Sequence, residues 1–222
     1  MTFRHDLLLF DLDGTISDPL VGIGRSINHA LSHFGYAALE LDQLAVHIGP
    51  PLEEAFRALT GLQTKDALNP FVTKYRERYA DVGYSENVLY PGIVDTIKAL
   101  AATGIPLGVC TSKRVDFAEQ ILEMFGLRGY FQFVSGGEIG TPKWQQMHDL
   151  LTARRVSTAS VMIGDRAVDM IAAHRNGLLA AGVLWGHGSR AELENENLRI
   201  CLPKSLNCLR WSEPCTTLFS SE

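Results

Sequence analysis

The segment LLLFDLDGT, residues 7–15, joins a short apolar run to two carboxylates and a glycine turn. Its first four residues, Leu7–Phe10, have the length of a buried strand. Asp11 and Asp13 follow directly and lie two residues apart, so their side chains are expected to point the same way until the turn at Gly14. Because buried like charges repel, such a pair requires a cation or a shared proton. The alternative is an Asp-Gly turn that only ends a strand.

Four further apolar runs of strand length follow along the chain, and helical patterns lie between most of them. These runs are Pro106–Cys110, Phe131–Val134, Ser160–Ile163 and Ala180–Leu184. Alternation of strand and helix predicts crossover connections and a parallel sheet with helices on both faces. The predicted fold class is therefore α/β, with a Rossmann-like parallel sheet flanked by helices.

The stretch after the first run breaks this rhythm, because it contains no convincing strand and its apolar residues recur at helical spacing. Pro91-Gly92 marks the return to the sheet. We therefore predict an inserted α-helical domain, residues 17–88, within a discontinuous core of residues 1–16 and 89–222. Ligands of open parallel sheets bind beyond the carboxyl ends of the strands. An insertion that leaves the sheet at that edge is expected to cover the site.

Composition excludes several classes of protein. The 222 residues allow one large domain or two small ones, and a hydrophobic content of 46% excludes a disordered chain. Twenty Lys and Arg against 25 Asp and Glu give a net charge of −5, so no basic surplus exists for a nucleic-acid polymer. No run reaches the ~18 apolar residues of a membrane helix, and no signal peptide is recognised. We predict a cytoplasmic protein with neither nucleic acid nor membrane as a partner.

Two further carboxylates are predicted at the same edge of the sheet. Asp165 follows the apolar run Ser160–Ile163, and Asp169 lies about one helical turn further on. The alternative for Asp165 is an N-cap aspartate that starts a helix. Together with Asp11 and Asp13, these side chains concentrate oxygen ligands of the kind that suits Mg²⁺, a hard cation.

Two motifs add groups that suit a phosphate. Thr111-Ser112-Lys113 follows the run Pro106–Cys110, and a hydroxyl with free backbone N–H groups at a strand-to-helix turn can hold phosphate oxygens. A capped helix start is the alternative there. Lys143 follows a proline and would otherwise be a solvated surface residue, but a cluster of aspartates near a phosphate needs positive charge beyond one metal ion.

These four motifs, in this order, resemble those of the haloacid dehalogenase superfamily of phosphatases, and the helical insertion resembles its C1-cap subclass IA. Four longer segments are similar to the phosphoglycolate phosphatase-like and 5′-nucleotidase-like branch. They are IGPPLEEAF (48–56), YPGI (90–93), MIGDRAVD (162–169) and GVLWGHGSRAEL (182–193). The resemblance runs from about Asp6 to Leu193. Ser112 stands where an Asn is often found and Ala172 where a Gly is common, and neither departure removes an essential group.

The resemblance implies hydrolysis through an aspartyl-phosphate. Asp11 would be the nucleophile that attacks phosphorus. Asp13 would protonate the leaving alcohol and then accept a proton from the water that hydrolyses the intermediate. Because dehalogenases need no acid for their leaving group, the presence of this second aspartate favours phosphoryl transfer over dehalogenation.

The resemblance also implies ligands for the metal and for the phosphate. Mg²⁺ would be bound by the Asp11 carboxylate, the Asp13 backbone carbonyl and Asp165, while Asp169 would orient a metal-bound water or the lysine. Phosphate oxygens would be held by three groups, which are the Thr111 side chain, the Ser112 N–H and Lys143.

The inserted domain is expected to close over the site and read the leaving group. Its best candidate is the turn at Gly49 and Pro50, although a helix N-terminus with Pro at its start is the alternative. Arg57 and Lys113 are candidates for contact with a substrate anion, against the alternative that each is an ordinary surface residue.

The sequence therefore predicts a Mg²⁺-dependent phosphomonoester hydrolase that acts on a small phosphorylated metabolite. The substrate is a nucleoside 5′-monophosphate, phosphoglycolate or a sugar phosphate. The alternatives are a sugar phosphomutase similar to β-phosphoglucomutase and a catalytically idle phosphate-sensing protein. The sequence leaves open whether the chain is a monomer or a homodimer, and what the tail Arg199–Glu222 does.

Overall fold

The computed structural model describes residues 5–138, 141–196 and 201–202, so most of the C-terminal tail lies outside the described residues. The chain divides into two compact units. One contains Met1–Ser17 and Leu89–Glu222, and the other contains Asp18–Val88. The first is called the core unit and the second the helical unit below.

Strands form one sheet of six and one of two within the described ranges. They are β1 (Leu8–Phe10), β2 (Ser17–Asp18), β3 (Val88–Leu89), β4 (Leu107–Cys110), β5 (Phe133–Ser135), β6 (Val161–Gly164), β7 (Leu179–Val183) and β8 (Cys201–Leu202). The large sheet has the order β5-β4-β1-β6-β7-β8, and all of its pairings are parallel. The predicted α/β fold class with a parallel sheet is confirmed.

One set of helices belongs to the core unit and flanks this sheet, and another set makes up the helical unit. The helical unit contains α1 (Leu20–His33), α2 (Leu41–Leu44), α3 (Leu52–Thr60) and α4 (Lys65–Asp81), and the core unit contains α5 (Ile93–Ala102), α6 (Val115–Met124), α7 (Lys143–Thr152), α8 (Ala167–Arg175) and α9 (Arg190–Glu194). Short 3₁₀ helices occur at Ala45–His47, Gly83–Glu86 and Arg128–Tyr130. No described helix combines the length and apolar character needed to cross a bilayer.

Three short strands were not predicted. β2 and β3 form the two-stranded sheet where the chain enters and leaves the helical unit, and β8 extends the large sheet beyond β7. A strand of two residues leaves no periodic pattern, so the sequence carries no signal for it. The strand predicted at Phe131–Val134 begins later, at Phe133, because the 3₁₀ helix Arg128–Tyr130 leads into it.

The middle of the large sheet is fully buried. Every residue of β1, β4 and β6 is buried, as expected for parallel strands covered on both faces. Met147 of α7 and Met170 of α8 pack with Leu9 and Met162 in one apolar cluster. This cluster fixes α7 and α8 against the same three strands whose carboxyl ends carry the predicted chemistry.

The helical unit has its own aromatic core. The rings of Phe56 and Phe71 lie 5.5 Å apart, and the ring of Tyr75 stacks on that of Tyr79 at 5.4 Å. Tyr75 and Tyr79 are both buried, so they belong to the packing of this unit. These contacts give the inserted residues enough apolar burial to form a compact unit.

Candidate active site

The ends of three neighbouring strands carry the predicted site residues of the core unit. Phe10 of β1 pairs with Val109 of β4 on one side and with Ile163 of β6 on the other. Asp11 therefore follows the central strand, and its N–H donates to the Ile163 carbonyl at 2.9 Å. Thr111 follows β4 and Asp165 follows β6. Strand order thus brings together residues that are about 50 to 150 positions apart in the sequence.

Three buried carboxylates meet at this edge of the sheet. Asp11, Asp165 and Asp169 each place one oxygen within 4.8 Å of the others. Burial raises the pKa of Asp165 to about 7, and the charges of Asp169 and Asp11 add to this shift. Burial also raises the pKa of Asp169 to about 6, against the opposing charge of Lys143. The cluster thus has more negative charge than its protein neighbours offset, and its oxygen donors fit a hard divalent cation.

Lys143 is the first residue of α7 and is buried against two of these carboxylates. Its Nζ lies 3.0 Å from Asp11 Oδ1 and forms a shorter ion pair with Asp169. Burial alone would lower the pKa of Lys143, but the charges of Asp11 and Asp169 raise it above its ordinary value. Lys143 is therefore a buried cation of the site and not a solvated surface residue.

Asp165 and Asp169 are held by different partners. Asp165 accepts hydrogen bonds from the His187 N–H at 2.8 Å and from the Thr15 hydroxyl at 3.4 Å. Asp169 accepts one from the Arg166 N–H at 3.0 Å. The N-terminal cap of α8 is Arg166, so the alternative reading of Asp165 as an N-cap residue does not apply.

Two glycines let the backbone pass close to the Asp165 carboxylate. A Cβ on Gly14, which has a φ of 81°, would lie 2.1 Å from Asp165 Oδ2, and one on Gly186 would lie 2.5 Å from the same oxygen. Neither approach leaves room for a side chain. Next to Gly186, the Trp185 indole N–H donates to the Thr15 carbonyl at 3.0 Å. Gly186 and its neighbours thus belong to the site, although none of them carries an individual signal in the sequence.

Asp13 does not place its carboxylate in the cluster of three. Its Oδ2 lies 2.8 Å from Lys113 Nζ, and its Oδ1 is buried without a hydrogen-bond partner among the described residues. Burial raises the pKa of Asp13, while the charge of Lys113 opposes that shift. Lys113 is thus not an ordinary surface residue, because its side chain is only 6% exposed.

The segment after β4 is anchored from two sides. Thr111 is buried, and its N–H donates to the Ser135 carbonyl at 3.0 Å. Ser112, next in the chain, is exposed. Gln146, one turn after Lys143 in α7, donates to the Thr111 carbonyl at 3.2 Å and to the Ser135 carbonyl at 2.9 Å. A lone Gln on a helix gives no signal in the sequence, so Gln146 was missed.

The remaining predicted residues belong to the helical unit. Gly49 has a φ of 101°, and Pro50 follows it shortly before α3 begins. Arg57 lies in the last turn of α3. Their contact with a substrate stays a prediction.

Replacing Gln146 with Leu is expected to lower the free energy of unfolding by about 1–3 kcal/mol, because the Thr111 and Ser135 carbonyls lose a buried donor. Urea unfolding monitored by circular dichroism measures the change. Gln120→Leu is the matched control, since Gln120 is exposed on α6. Equal costs for the two variants would contradict the anchoring role of Gln146.

The metal-free protein is expected to lose stability as the pH rises from about 4 to about 7. In this window folded Asp165 retains a proton that the unfolded chain, with an ordinary pKa of 3.8, has released. Asp165→Asn should reduce this loss by about 1–3 kcal/mol. Urea unfolding in EDTA at several pH values measures it, with Asp95→Asn on the exposed face of α5 as control. A variant as pH-sensitive as the wild type would refute the prediction.

The sequence of this chain is similar to those of known proteins. Residues 8–183 match the family model of haloacid dehalogenase-like hydrolases. A 5′-nucleotidase of Pseudomonas aeruginosa is 38% identical over 194 residues, which cover 86% of this chain and 87% of that protein. The tyrosine-protein kinase PtkA of Mycobacterium tuberculosis is 37% identical over 188 residues, covering 82% of this chain and 63% of the kinase.

The fold has a close counterpart among solved structures. A haloacid dehalogenase-like hydrolase from Streptococcus pneumoniae superposes with a TM-score of 0.87 at 26% identity, covering 95% of this chain and 99% of that one. The residues matched by the family model, 8–183, run from the first residue of β1 to the last residue of β7. The chain therefore belongs to the haloacid dehalogenase-like hydrolases and is a phosphatase of that family.

Proposed function

We propose that this phosphatase is a Mg²⁺-dependent phosphomonoester hydrolase that acts on a small phosphorylated metabolite through an aspartyl-phosphate. The observation that carries the proposal is the buried cluster of Asp11, Asp165 and Asp169 with Lys143 against it. Such a cluster has no packing purpose, because buried carboxylates without enough positive charge are costly. It suits a site that receives a cation and a phosphate.

The proposed metal ligands are the carboxylates of Asp11 and Asp165 and the backbone carbonyl of Asp13. When bound, Mg²⁺ would supply positive charge that reduces the repulsion between the anionic phosphate and the anionic nucleophile. Asp169 contacts Lys143 directly, so its proposed role is to hold that ammonium in place. Lys143 in turn fixes the Asp11 carboxylate through the 3.0 Å contact between its Nζ and Oδ1.

Asp11 and Asp13 divide the covalent and the proton-transfer steps between them. A carboxylate oxygen of Asp11 forms a bond to phosphorus while the bond from phosphorus to the ester oxygen breaks, and Asp13 gives its proton to that oxygen. In the second step Asp13 takes a proton from the attacking water. Cleavage of the aspartyl-phosphate then releases inorganic phosphate and restores the Asp11 carboxylate.

The proposed phosphate cradle combines a hydroxyl, a backbone donor and a cation. Thr111 and the exposed Ser112 stand at the end of β4, next to β1 and its nucleophile. Lys143 reaches the same edge from α7. These groups would bind the three equatorial oxygens, on which negative charge spreads in the transition state.

The substrate is proposed to be a nucleoside 5′-monophosphate, with phosphoglycolate and sugar phosphates as the next candidates. The name of the Pseudomonas aeruginosa relative, a 5′-nucleotidase, supports this order. The helical unit is proposed to act as the cap that reads the leaving group, with Gly49, Pro50 and Arg57 as its candidate contacts.

Other fates of the phosphoryl group define the competing functions. A sugar phosphomutase would return the group to a sugar, and an idle phosphate sensor would not turn over. The likeness to a protein named as a tyrosine-protein kinase adds transfer to a tyrosine hydroxyl. Release of inorganic phosphate from a small ester separates hydrolysis from all three.

A screen of phosphorylated metabolites at fixed Mg²⁺ tests the proposal. It compares kcat/KM for nucleoside monophosphates, phosphoglycolate and hexose phosphates. We expect inorganic phosphate to be released, the activity to be lost in EDTA, and nucleoside monophosphates to give the highest value. Isomerisation of a sugar phosphate without phosphate release, or a folded protein inactive on every ester, would overturn the proposal.

A further inference from the structure

A buried lysine stands beside the proposed general acid. Lys113 Nζ lies 2.8 Å from Asp13 Oδ2, and the side chains of the two residues are 6% and 18% exposed. Lysine is almost never this buried unless it is paired. The pair joins residues one hundred positions apart in the sequence, because β1 and β4 are neighbours in the sheet. An exposed lysine can be explained by its interaction with water, but this buried ion pair requires a different explanation.

The two oxygens of the Asp13 carboxylate have different surroundings. Oδ2 is held by the lysine, whereas Oδ1 is buried and accepts no hydrogen bond from any described residue. Leaving a buried acceptor unsatisfied is energetically unfavourable. Unpaired buried groups are rare in folded proteins and often mark a functional site. Because no described residue bonds to it, Oδ1 can give a proton to a ligand or take one from a water.

Hydrogen bonds to the backbone of Lys113 hold this residue in place. The Lys113 N–H donates to the Thr111 hydroxyl at 3.3 Å, and the Gly137 N–H donates to the Lys113 carbonyl at 2.8 Å. A Cβ on Gly137 would lie 2.4 Å from the Ser112 carbonyl oxygen, so the segment after β5 packs tightly on this turn. A cation on a turn held in this way can fix the orientation of its partner.

We propose that Lys113 is a positioning residue for Asp13: it holds Oδ2 so that Oδ1 is the oxygen that exchanges protons with the leaving group and the water. The inference rests on the proposed hydrolysis. In the first step the proton on Oδ1 passes to the ester oxygen as the bond from phosphorus to that oxygen breaks. In the second step Oδ1 takes a proton from the attacking water. Lys113 remains at Oδ2 in both steps and does not touch the substrate.

The test compares two esters and two lysine variants. p-Nitrophenyl phosphate has a leaving group that needs little protonation, whereas an alkyl ester, such as the best metabolite from the screen, depends on the acid. Lys113→Met is expected to lower kcat for the alkyl ester by about 10–100-fold, a part of the ~10²–10⁴-fold that general acid catalysis contributes. The loss on p-nitrophenyl phosphate should be several-fold smaller. Lys113→Arg should keep most of the activity on both.

A double variant separates positioning from direct substrate contact. If Lys113 acts through Asp13, adding Lys113→Met to Asp13→Asn should cause no further loss on the alkyl ester. Lys98→Met on α5 is the control, because Lys98 is an exposed lysine of the same unit. Equal losses on both esters, or an added loss in the Asp13→Asn background, would overturn the assignment.

Failure of the proposed function would look different. It would show in the wild-type chain, which would then release phosphate from neither ester. Should Lys113→Met fail to fold, the double-variant comparison is made with Lys113→Gln, which keeps a polar side chain of similar length. A loss with Lys113→Arg as large as that with the neutral variants, on both esters, would also count against the positioning role.

Discussion

Replacing Asp11 with Asn is expected to lower kcat at least about 10³-fold while leaving the fold intact, because an amide cannot act as the nucleophile that a carboxylate provides. The change keeps the shape of a side chain that is almost completely buried. It also removes one of the three clustered carboxylates, so the metal-free variant should unfold at a urea concentration no lower than that of the wild type.

Phosphate release and urea unfolding, measured on one preparation, separate these two effects. Asp95→Asn provides the control, since it is the same substitution at an exposed position of α5. If Asp11→Asn retained more than a few per cent of the Mg²⁺-dependent activity, another residue would have to be the nucleophile.

Replacing Lys143 with Met is expected to impair both stability and turnover. The variant leaves Asp11 and Asp169 buried without the cation that contacts both, and removing one partner of a buried ion pair costs about 3–5 kcal/mol. Loss of a preorganised charge at the phosphate should lower kcat by about 10²–10³-fold. Stability should partly recover at low pH, because the Asp169 pKa, already raised to about 6, would rise further without the lysine.

Lys98→Met serves as the matched control for this change as well, because it removes an exposed lysine from the same unit. The two free energies of unfolding are compared at pH 8 in EDTA, together with kcat in Mg²⁺. Similar small effects for the two variants would mean that Lys143 contributes no more than a surface charge.

The parallel sheet and the residues that follow its strands could be predicted because each signal is local. Asp11 directly follows an apolar run, and so does Thr111, while Asp165 comes two residues after another. Parallel strands place their carboxyl ends at one edge of the sheet. A residue that directly follows such a strand in the sequence therefore lies at that edge. The need for positive charge beside the aspartates indicated Lys143, whose position in the first turn of a helix carries no signal of burial by itself. The resemblance to a known family then implied its role.

The contacts that hold these residues could not be predicted. Gln146 meets the Thr111 carbonyl across 35 positions, and the His187 N–H meets Asp165 across 22. Such contacts depend on where a helix or loop lies over the sheet, which is fixed by packing and not by periodicity. The pairing of Lys113 with Asp13 is of the same kind, since it appears only when β1 and β4 are adjacent.

The central position of β1 has a consequence for how the chain acquires its structure during synthesis. β1 is made first, yet Leu8 pairs with Leu107 on one side and with Val161 on the other. Until Leu107 is made the first strand has neither neighbour, whereas Asp18–Val88 is one continuous stretch that is made completely before Leu107. The helical unit can therefore fold before the sheet closes around β1. The edge of the sheet that carries Asp11, Thr111 and Asp165 is completed only after β6 has left the ribosome.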